Sequence, residues 1–178
     1  MKVVGFAGYS GAGKTQLLVQ IIAQLRQKGL RVSAIKHAHH QFDIDHPGKD
    51  SYRYRQAGAF EVVVASRRRL ALVREYERET ELTVHQMIGE LSGHVDWVMV
   101  EGYKHSDLPK IEVWRATTGQ AARYMDDERI LALTTDLPAA LLPAPPRCPV
   151  LDLNDPPAIA QWLLDNRHRF AYPPLRQP

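Results

Sequence analysis

The residues with the clearest chemistry form a glycine-rich loop near the beginning of the chain, which reads Gly8-Tyr9-Ser10-Gly11-Ala12-Gly13-Lys14-Thr15. This segment matches the pattern G-x-x-x-x-G-K-[ST], in which glycines allow consecutive backbone N–H groups to converge on phosphate oxygens. The lysine adds a positive charge, and the hydroxyl of the last residue is a ligand for Mg²⁺. We therefore predict a nucleoside triphosphate site with Mg²⁺, in which Lys14 is a candidate catalytic residue and Thr15 a candidate metal ligand. The predicted phosphate-binding residues are Gly8, Ser10, Gly11, Ala12, Gly13, Lys14 and Thr15.

The segments on either side of the loop are those that the pattern requires. Residues 3–7 read as a short buried strand that leads directly into the glycines. Apolar residues then recur at helical spacing from Leu17 to Leu25, and Gly29 is placed to end the helix. The sequence thus predicts a strand, a phosphate loop and a helix in succession.

A second candidate for nucleotide chemistry is Glu101, which follows an apolar strand predicted over residues 95–100. An acid in this position lies at the carboxyl edge of the sheet, where it can hold Mg²⁺ or polarise an attacking water. We predict Glu101 as a catalytic residue and metal ligand; the alternative is an exposed acid in a turn closed by Gly102. Asp96 lies too early in the same strand to reach the site and is interpreted as structural.

The loop over residues 37–49 is rich in side chains that can bind metals or anions. Its composition resembles a set of metal ligands, but the spacing fits no closed zinc pattern. Three interpretations stay open: a solvated polar loop, a transition-metal site, and a set of phosphate or substrate contacts. The metal-like residues are His37, His39, His40, His46, Asp43 and Asp45. The candidate ligand contacts are Lys36, His37, Lys49 and Asp50.

The rest of the chain alternates apolar strands with amphipathic helices. Further strands are predicted over residues 31–35, 60–64, 70–73, 110–114, 129–134 and 150–153, and helices over 50–57, 83–91 and 155–166. The proline-rich stretch 138–149 is predicted to be a loop with one short helical turn at 139–142. These elements predict an α/β fold of the P-loop NTPase type, with three layers and a mostly parallel sheet between helices. One nucleotide-binding domain is expected over residues 1–168, followed by a tail over 169–178.

The predicted strand 70–73 is a candidate for antiparallel pairing. Together with the strand 110–114, it is also a candidate for pairing with a second subunit at a sheet edge.

Composition limits the class of protein. The chain has 178 residues, of which 44% are hydrophobic and 24% charged, and a single cysteine, Cys148, which excludes an internal disulfide. No run is apolar enough to cross a membrane, so we expect a soluble cytoplasmic protein without a membrane partner. The net charge of +3 is compatible with nucleic acid. The one dense basic cluster, Arg67-Arg68-Arg69, is short and lacks interleaved aromatic residues, so no nucleic-acid partner is expected.

Four sequence blocks together resemble the molybdopterin-guanine dinucleotide biosynthesis protein B (MobB) family, over residues 1 to about 164. They are the phosphate loop, Lys36-His37-Ala38-His39-His40 with Asp43 and Asp45, Pro47-Gly48-Lys49-Asp50-Ser51, and Glu101-Gly102-Tyr103-Lys104.

The resemblance implies a small, weakly hydrolytic GTP-binding protein that uses GTP and Mg²⁺. It implies that the protein assists a MobA-type guanylyltransferase, which attaches GMP to molybdopterin to form the guanine dinucleotide of the molybdenum cofactor. It also implies a homodimer with a sheet that extends across the subunits.

Guanine selection depends on Asp136, which follows the predicted strand 129–134. GTP-binding proteins commonly place an aspartate after asparagine and lysine here, so that its carboxylate accepts from guanine N1–H and the 2-amino group. This chain reads Thr134-Thr135-Asp136, so the lysine that packs along the base and braces the phosphate loop is missing. Asp136 is therefore either a guanine contact or the first residue of a turn before Leu137.

Two other functions stay open at the level of the sequence. One is a small-molecule kinase using ATP or GTP, in which Asp43 or Asp45 would be the general base. The other is a nucleotide-switched metallochaperone whose histidines hold a metal in transit. No arginine is identified in a matching catalytic position, although Arg67 to Arg69 or a dimer partner could supply one, so hydrolysis is expected to be slow.

Overall fold

A computed structural model describes residues 1–38 and 42–173 of the chain. The predicted candidates His39 and His40, and residues 174–178 of the predicted tail, lie outside the described residues. The chain forms two compact units within the range assigned to one domain. The larger comprises Met1–His37 and the chain from Val84 onward, and the smaller comprises Ala38–Thr83.

The described helices and strands follow the predicted order closely. The strands are β1 (Lys2–Ala7), β2 (Val32–Lys36), β3 (Glu61–Ala65), β4 (Leu70–Arg74), β5 (Trp97–Glu101), β6 (Lys110–Val113), β7 (Ile130–Thr135) and β8 (Val150–Asp152). The α-helices are α1 (Lys14–Gln27), α2 (Asp50–Gln56), α3 (Val84–Gly89) and α4 (Pro156–Asp165). Short 3₁₀ helices cover Ala116–Thr118, Arg123–Met125, Ala139–Leu141 and Arg167–Phe170.

The larger unit contains a six-stranded parallel sheet in the order β2-β5-β1-β6-β7-β8. Because β1 lies between β5 and β6, the loop after β1 is flanked by the carboxyl ends of both neighbours. Phe6 pairs with Glu101 in the register of β1 with β5, which brings that acid level with the start of the loop. The predicted pairing of the segment 110–114 at a sheet edge is wrong, because β6 is enclosed by β1 and β7.

Alternate residues of the sheet face two apolar layers. Phe6 of β1 packs in a core with α1 and α4, which contribute Ile21 and Leu163 among others. Val3 and Val98 face the other way and pack with Ile88 of α3. This arrangement follows from the two-residue repeat of a strand, and it confirms the three-layer α/β fold.

Two boundaries differ from the prediction for identifiable reasons. β5 begins at Trp97 rather than at residue 95, because the Asp96 carboxylate accepts from the Arg31 backbone N–H at 2.8 Å, which is the structural role predicted for it. The packed chain also continues past residue 168. Phe170 is fully buried with its ring 5.7 Å from that of Trp97, and Ala171 bridges to Lys2, so the described residues from 169 onward pack against the core.

The smaller unit consists of α2 and an antiparallel hairpin of β3 and β4, as predicted for the segment 70–73. The basic cluster Arg67 to Arg69 lies at the hairpin turn, which the Ser66 N–H closes by donating to the Arg69 carbonyl. One face of the hairpin is apolar and exposed, with Val63 paired to Leu72 and Ala65 paired to Leu70.

Candidate functional site

The loop between β1 and α1 presents an uncapped helix N-terminus. Gly13 precedes α1 in a left-handed conformation with φ 95°, and in the described chain no side chain caps this helix. The first turn of α1 also contains no acidic residue. Backbone N–H groups at such a terminus lack partners within the helix, and the helix dipole adds partial positive charge. The local structure therefore suits an anion such as a phosphate.

Two glycines of the loop are required by geometry rather than by flexibility alone. A Cβ atom on Gly8 would lie 2.2 Å from the carbonyl oxygen of Val113 in β6, so the loop leaves the sheet in contact with a neighbouring strand. Gly13 has a positive φ that a side chain would strain. The glycine spacing seen in the sequence thus corresponds to a close approach followed by a left-handed turn into the helix.

Lys14 folds back over the loop. Its Nζ donates to the Tyr9 carbonyl oxygen at 2.8 Å. Burial lowers the pKa of Lys14 below its ordinary value; the charge of Glu101 opposes this shift, and nearby lysines add to it. An anion placed here would restore the stability of the ammonium group, so the electrostatics of the loop favour a polyphosphate.

The structure brings the two predicted metal ligands together. The Thr15 hydroxyl donates to Glu101 Oε1 at 2.7 Å, linking the first turn of α1 to the end of β5. Lys36, at the end of β2, lies 3.9 Å from the same carboxylate oxygen. The Glu101 side chain is 14% exposed, so it is held in place yet reachable. A hydroxyl beside a carboxylate is a donor set of the type that Mg²⁺ prefers, and these residues fit that ion.

His37 and the turn after β5 form the edge of this site. The His37 N–H donates to the Glu101 carbonyl at 2.9 Å, and its ring stacks on Tyr103 with 4.4 Å between centroids. A Cβ on Gly102 would lie 2.8 Å from the His37 Cβ, so only glycine allows this contact. The block Glu101-Gly102-Tyr103-Lys104 thus holds His37 through three contacts. Together with the approach of Lys36 to Glu101, these contacts place both residues beside Thr15 and Glu101, the predicted metal ligands.

Asp136 lies just beyond β7, and its partner is a residue that the sequence analysis missed. Arg115 Nε is 3.5 Å from Asp136 Oδ2. Arg115 follows the end of β6 closely, so a search of strand ends, as for Glu101 after β5, would have included it as a candidate without showing its partner. The turn after β7 is closed by Thr135, whose hydroxyl accepts from the Leu137 N–H at 3.2 Å. Thr135 thus supplies a side-chain hydrogen bond within this turn, and the role of Asp136 stays a prediction.

The remaining predicted residues belong to the smaller unit, at and before α2. Lys49 is the residue that precedes α2, and Asp50 lies 3.9 Å from Arg53 within the helix. Asp43 and Asp45 both accept hydrogen bonds from Arg55, at 2.9 and 3.3 Å. Among the described residues, no group of three or more histidine, cysteine, aspartate or glutamate side chains could hold a metal ion.

Hydrogen bonding and charge explain the acidity of this pair of aspartates. The hydrogen bond from Arg55 is the main cause that lowers the pKa of Asp43. Burial acts to raise the pKa of Asp45, but hydrogen bonds from the His46 N–H, Ser51 and Arg55 outweigh it, and the net shift is downward. Both carboxylates are therefore engaged anions.

Residues 3–136 match the family model described as molybdopterin guanine dinucleotide synthesis protein B, MobB. The chain is 37% identical to the molybdopterin-guanine dinucleotide biosynthesis adapter protein of Escherichia coli strain K12, over 92% of this chain and 91% of that protein. It is 35% identical to the protein of the same description from Haemophilus influenzae, over 94% of this chain and 90% of that one.

Solved structures agree with these matches. The MobB protein homolog of Bacillus stearothermophilus superposes with a TM-score of 0.67 at 25% identity, covering 94% of this chain and 99% of that one. Bacillus subtilis MobB superposes with a TM-score of 0.70 at 21% identity, over 96% and 99% of the two chains, and supports the fold. From the family match and the two relatives above 30% identity, the chain belongs to the MobB family.

Proposed function

We propose that the protein is a GTP-binding adapter in the biosynthesis of molybdopterin guanine dinucleotide. The observation on which the proposal rests is the contact of Thr15 with Glu101 directly beside the phosphate loop, in a chain of the MobB family. The proposed partner is a MobA-type guanylyltransferase, which attaches GMP to molybdopterin. A cytoplasmic location is consistent with this role, and no described helix is both long and apolar enough to span a membrane.

In the proposed complex, the backbone N–H groups from Ser10 to Thr15 and the Lys14 ammonium hold the β- and γ-phosphates of GTP. Thr15 and Glu101 would hold Mg²⁺, which when bound neutralises phosphate charge and orients the oxygens. Glu101 is also positioned to orient an attacking water. Lys36 and His37 lie at the rim of this site, where they can contact the substrate or the transferase. Positioning of the phosphates accounts for most of the proposed catalysis, and no arginine is identified in a matching catalytic position. Hydrolysis by the protein alone is therefore proposed to be slow.

Lys49 and Asp50 are proposed to serve the molybdopterin or transferase side of the reaction rather than GTP binding. Both are exposed at the start of α2. Alanine at either position is expected to leave the affinity for GTP unchanged and to reduce the yield of molybdopterin guanine dinucleotide in a reconstituted reaction with the guanylyltransferase. Lys28→Ala, at the far end of α1, is the matched control and should support the full yield.

A loss of GTP binding in the Lys49 or Asp50 variant would assign the segment to the nucleotide instead. An equal yield with and without the wild-type protein would contradict the adapter function itself.

A homodimer is proposed through the exposed hairpin of β3 and β4. Leu70 is 69% exposed and Val63 56%, on the same face of the hairpin. A two-stranded hairpin is only marginally stable by itself, and its open edges and apolar face are ready to pair with a second copy. The extended sheet implied by the family resemblance is thus proposed to form from these strands.

Leu70→Glu is expected to convert the dimer to a monomer, because it places a charge on the apolar face of the proposed interface. The dimer dissociation constant should rise on the order of a hundredfold or more, measured by light scattering during size-exclusion chromatography. Val19→Glu is the matched control, since Val19 is 62% exposed on α1 of the larger unit and is not part of the hairpin. A dimer that survives Leu70→Glu, or is lost equally in both variants, would contradict this interface.

The two alternative functions receive no support from the described residues. A general base works best with a pKa near neutral pH, whereas Asp43 and Asp45 have lowered pKa values and are paired with Arg55. The metallochaperone depends on the histidines of the loop over residues 37–49, of which His39 and His40 lie outside the described residues, and the described chain contains no cluster of metal ligands. The adapter function is therefore the one that the site and the relatives jointly support.

A further inference from the structure

A cavity of about 150 Å³ opens beside the phosphate loop within the larger unit. A closed cavity of this size holds one benzene ring, and because this cavity is open on one side, a fused two-ring base can enter it and extend outward. The cavity lies between the start of α1, the end of β6 and the turn before α4. Residues that line it include Gly13, Gln16, Gln20, Arg115, Leu153 and Asn154.

The position and chemistry of the cavity suit a nucleotide base. It adjoins Gly13 and the first turns of α1, so a ligand whose phosphates occupy the loop would extend its nucleoside toward it. Leu153 offers an apolar surface for a ring, and the amides of Gln16 and Asn154 can each donate and accept hydrogen bonds. This mixture of one apolar wall and a few polar groups is typical of small-molecule sites.

Arg115 connects this cavity to Asp136. Its Nε lies 3.5 Å from Asp136 Oδ2 and, although buried, has no hydrogen-bond partner among the described residues. The other side of the guanidinium faces the loop, since Arg115 Nη2 lies 4.0 Å from the position that a Cβ on Gly13 would occupy. One side chain thus lies beside the phosphate loop, lines the cavity and pairs with the acid beyond β7.

The lysine that the sequence lacks before Asp136 commonly packs along the base beside the aspartate. Here Arg115 brings a cation to Asp136 from the neighbouring strand, because β6 pairs with β7 and their ends are adjacent. Within the described part of the chain, Arg115 is the cation that pairs with Asp136, and its removal would release the carboxylate to turn into solvent. Arginine suits the position better than lysine because its planar group can contact two partners at once.

We propose that a guanine base occupies this cavity and that Arg115 is a positioning residue, holding Asp136 where its carboxylate accepts from guanine N1–H and the 2-amino group. This inference rests on the proposed function, because it assumes that the nucleotide phosphates occupy the loop. It adds the residue that allows Asp136 to select guanine without the usual lysine.

The test compares GTP with inosine triphosphate, which lacks only the 2-amino group, by calorimetry with Mg²⁺. Wild-type protein is expected to bind GTP about tenfold more tightly, the value of one hydrogen bond to a charged group. In Arg115→Gln this ratio should fall to about one through loss of GTP affinity, and Arg115→Lys should restore part of it. Inorganic tripolyphosphate, which reports on the loop alone, should bind Arg115→Gln about as well as it binds wild type.

If the ratio of the affinities for GTP and inosine triphosphate is unchanged in Arg115→Gln, the inference is overturned. Equal losses for GTP, inosine triphosphate and tripolyphosphate would also overturn it, since they would give Arg115 a purely structural or phosphate-binding role. Asp136→Asn is a second variant that leaves the arginine in place. It should favour xanthosine triphosphate over GTP, because an amide can donate to the extra carbonyl of xanthine, and no such change would again overturn the inference.

The proposed function and this inference fail in different ways. If wild-type protein binds neither GTP nor tripolyphosphate, the proposed function fails. If GTP and tripolyphosphate both bind to wild type, but the ratio of the affinities for GTP and inosine triphosphate is the same in Arg115→Gln, only the role of Arg115 fails.

Discussion

Replacing Lys14 with alanine is expected to weaken GTP binding about a hundredfold, which corresponds to about 3 kcal/mol. The side chain is already folded over the loop, with Nζ 2.8 Å from the Tyr9 carbonyl, so little ordering is needed when phosphate arrives. The ammonium is also partly desolvated, which makes each charge-assisted hydrogen bond to a phosphate oxygen stronger than in water. Isothermal titration calorimetry with GTP and Mg²⁺ measures the change.

Lys28→Ala is the matched control for this experiment. Lys28 is a lysine at the opposite end of α1, where its Nζ contacts Gln161 at 3.3 Å, and its removal changes the net charge equally. It should leave GTP affinity unchanged. An unchanged affinity in Lys14→Ala, or an equal loss in both variants, would remove the assignment of the loop as a phosphate site.

The lowered pKa of Lys14 gives the same variant a second readout. In the free protein burial lowers the pKa, so the ammonium loses its proton at a lower pH than an exposed lysine would. A bound polyphosphate favours the charged form and raises that pKa again. Between the two pKa values binding takes up a proton, and affinity must fall as the pH rises. Inorganic tripolyphosphate should show this decline with wild type, and Lys14→Ala should show less of it.

Local sequence alone leads to the prediction of the phosphate loop and of Glu101 as site residues. The loop is one continuous segment whose glycines, lysine and threonine act through backbone geometry and charge near their own position, so no tertiary information is needed. Glu101 follows a strand that is apolar throughout, and the end of such a strand in a parallel sheet points to the ligand edge. The observed contact between Thr15 and Glu101 agrees with both arguments.

Arg115 could not be assigned from local sequence, because its role depends on which strand lies beside which. Only the order β1-β6-β7 brings the residue after Trp114 next to both Gly13 and Asp136. The sequence identifies that a strand exists over residues 110–114 but not its neighbours. A search of every predicted strand end for charged residues would have included it as a candidate.

The same strand, a candidate for pairing at a sheet edge, alternates between polar and apolar residues. In the structure Lys110 and Glu112 are nonetheless buried. The Lys110 ammonium is satisfied by the Ser106 carbonyl and by Asp127, which lies 3.3 Å away. Glu112 accepts from the Arg123 and Tyr124 N–H groups, each at 2.7 Å. Alternation indicates an exposed face only where the polar groups have no partners inside, and these partners come from distant parts of the chain.

In the phosphate loop, Gly8 lies against β6, and from this close approach we predict the largest effect on stability. Gly8→Ala is expected to reduce the free energy of unfolding by about 3 kcal/mol or more. The added Cβ would lie 2.2 Å from the Val113 carbonyl oxygen, and Gly8 has φ 144°, a conformation that strains residues with a side chain. The oxygen cannot retreat easily, because β6 is paired on both sides, to β1 and to β7.

Gly11→Ala separates the two causes of that loss. Gly11 lies in the same loop with φ 81°, but a Cβ there would have no described heavy atom within 4 Å, so only the cost of the left-handed backbone remains, about 1 kcal/mol. Denaturant unfolding of both variants measures the difference. If they lose equal stability, the contact of the loop with β6 is not what fixes Gly8. If Gly8→Ala alone is strongly destabilised, the first glycine of the phosphate pattern is required by the sheet, whereas the second is required only by its own backbone conformation.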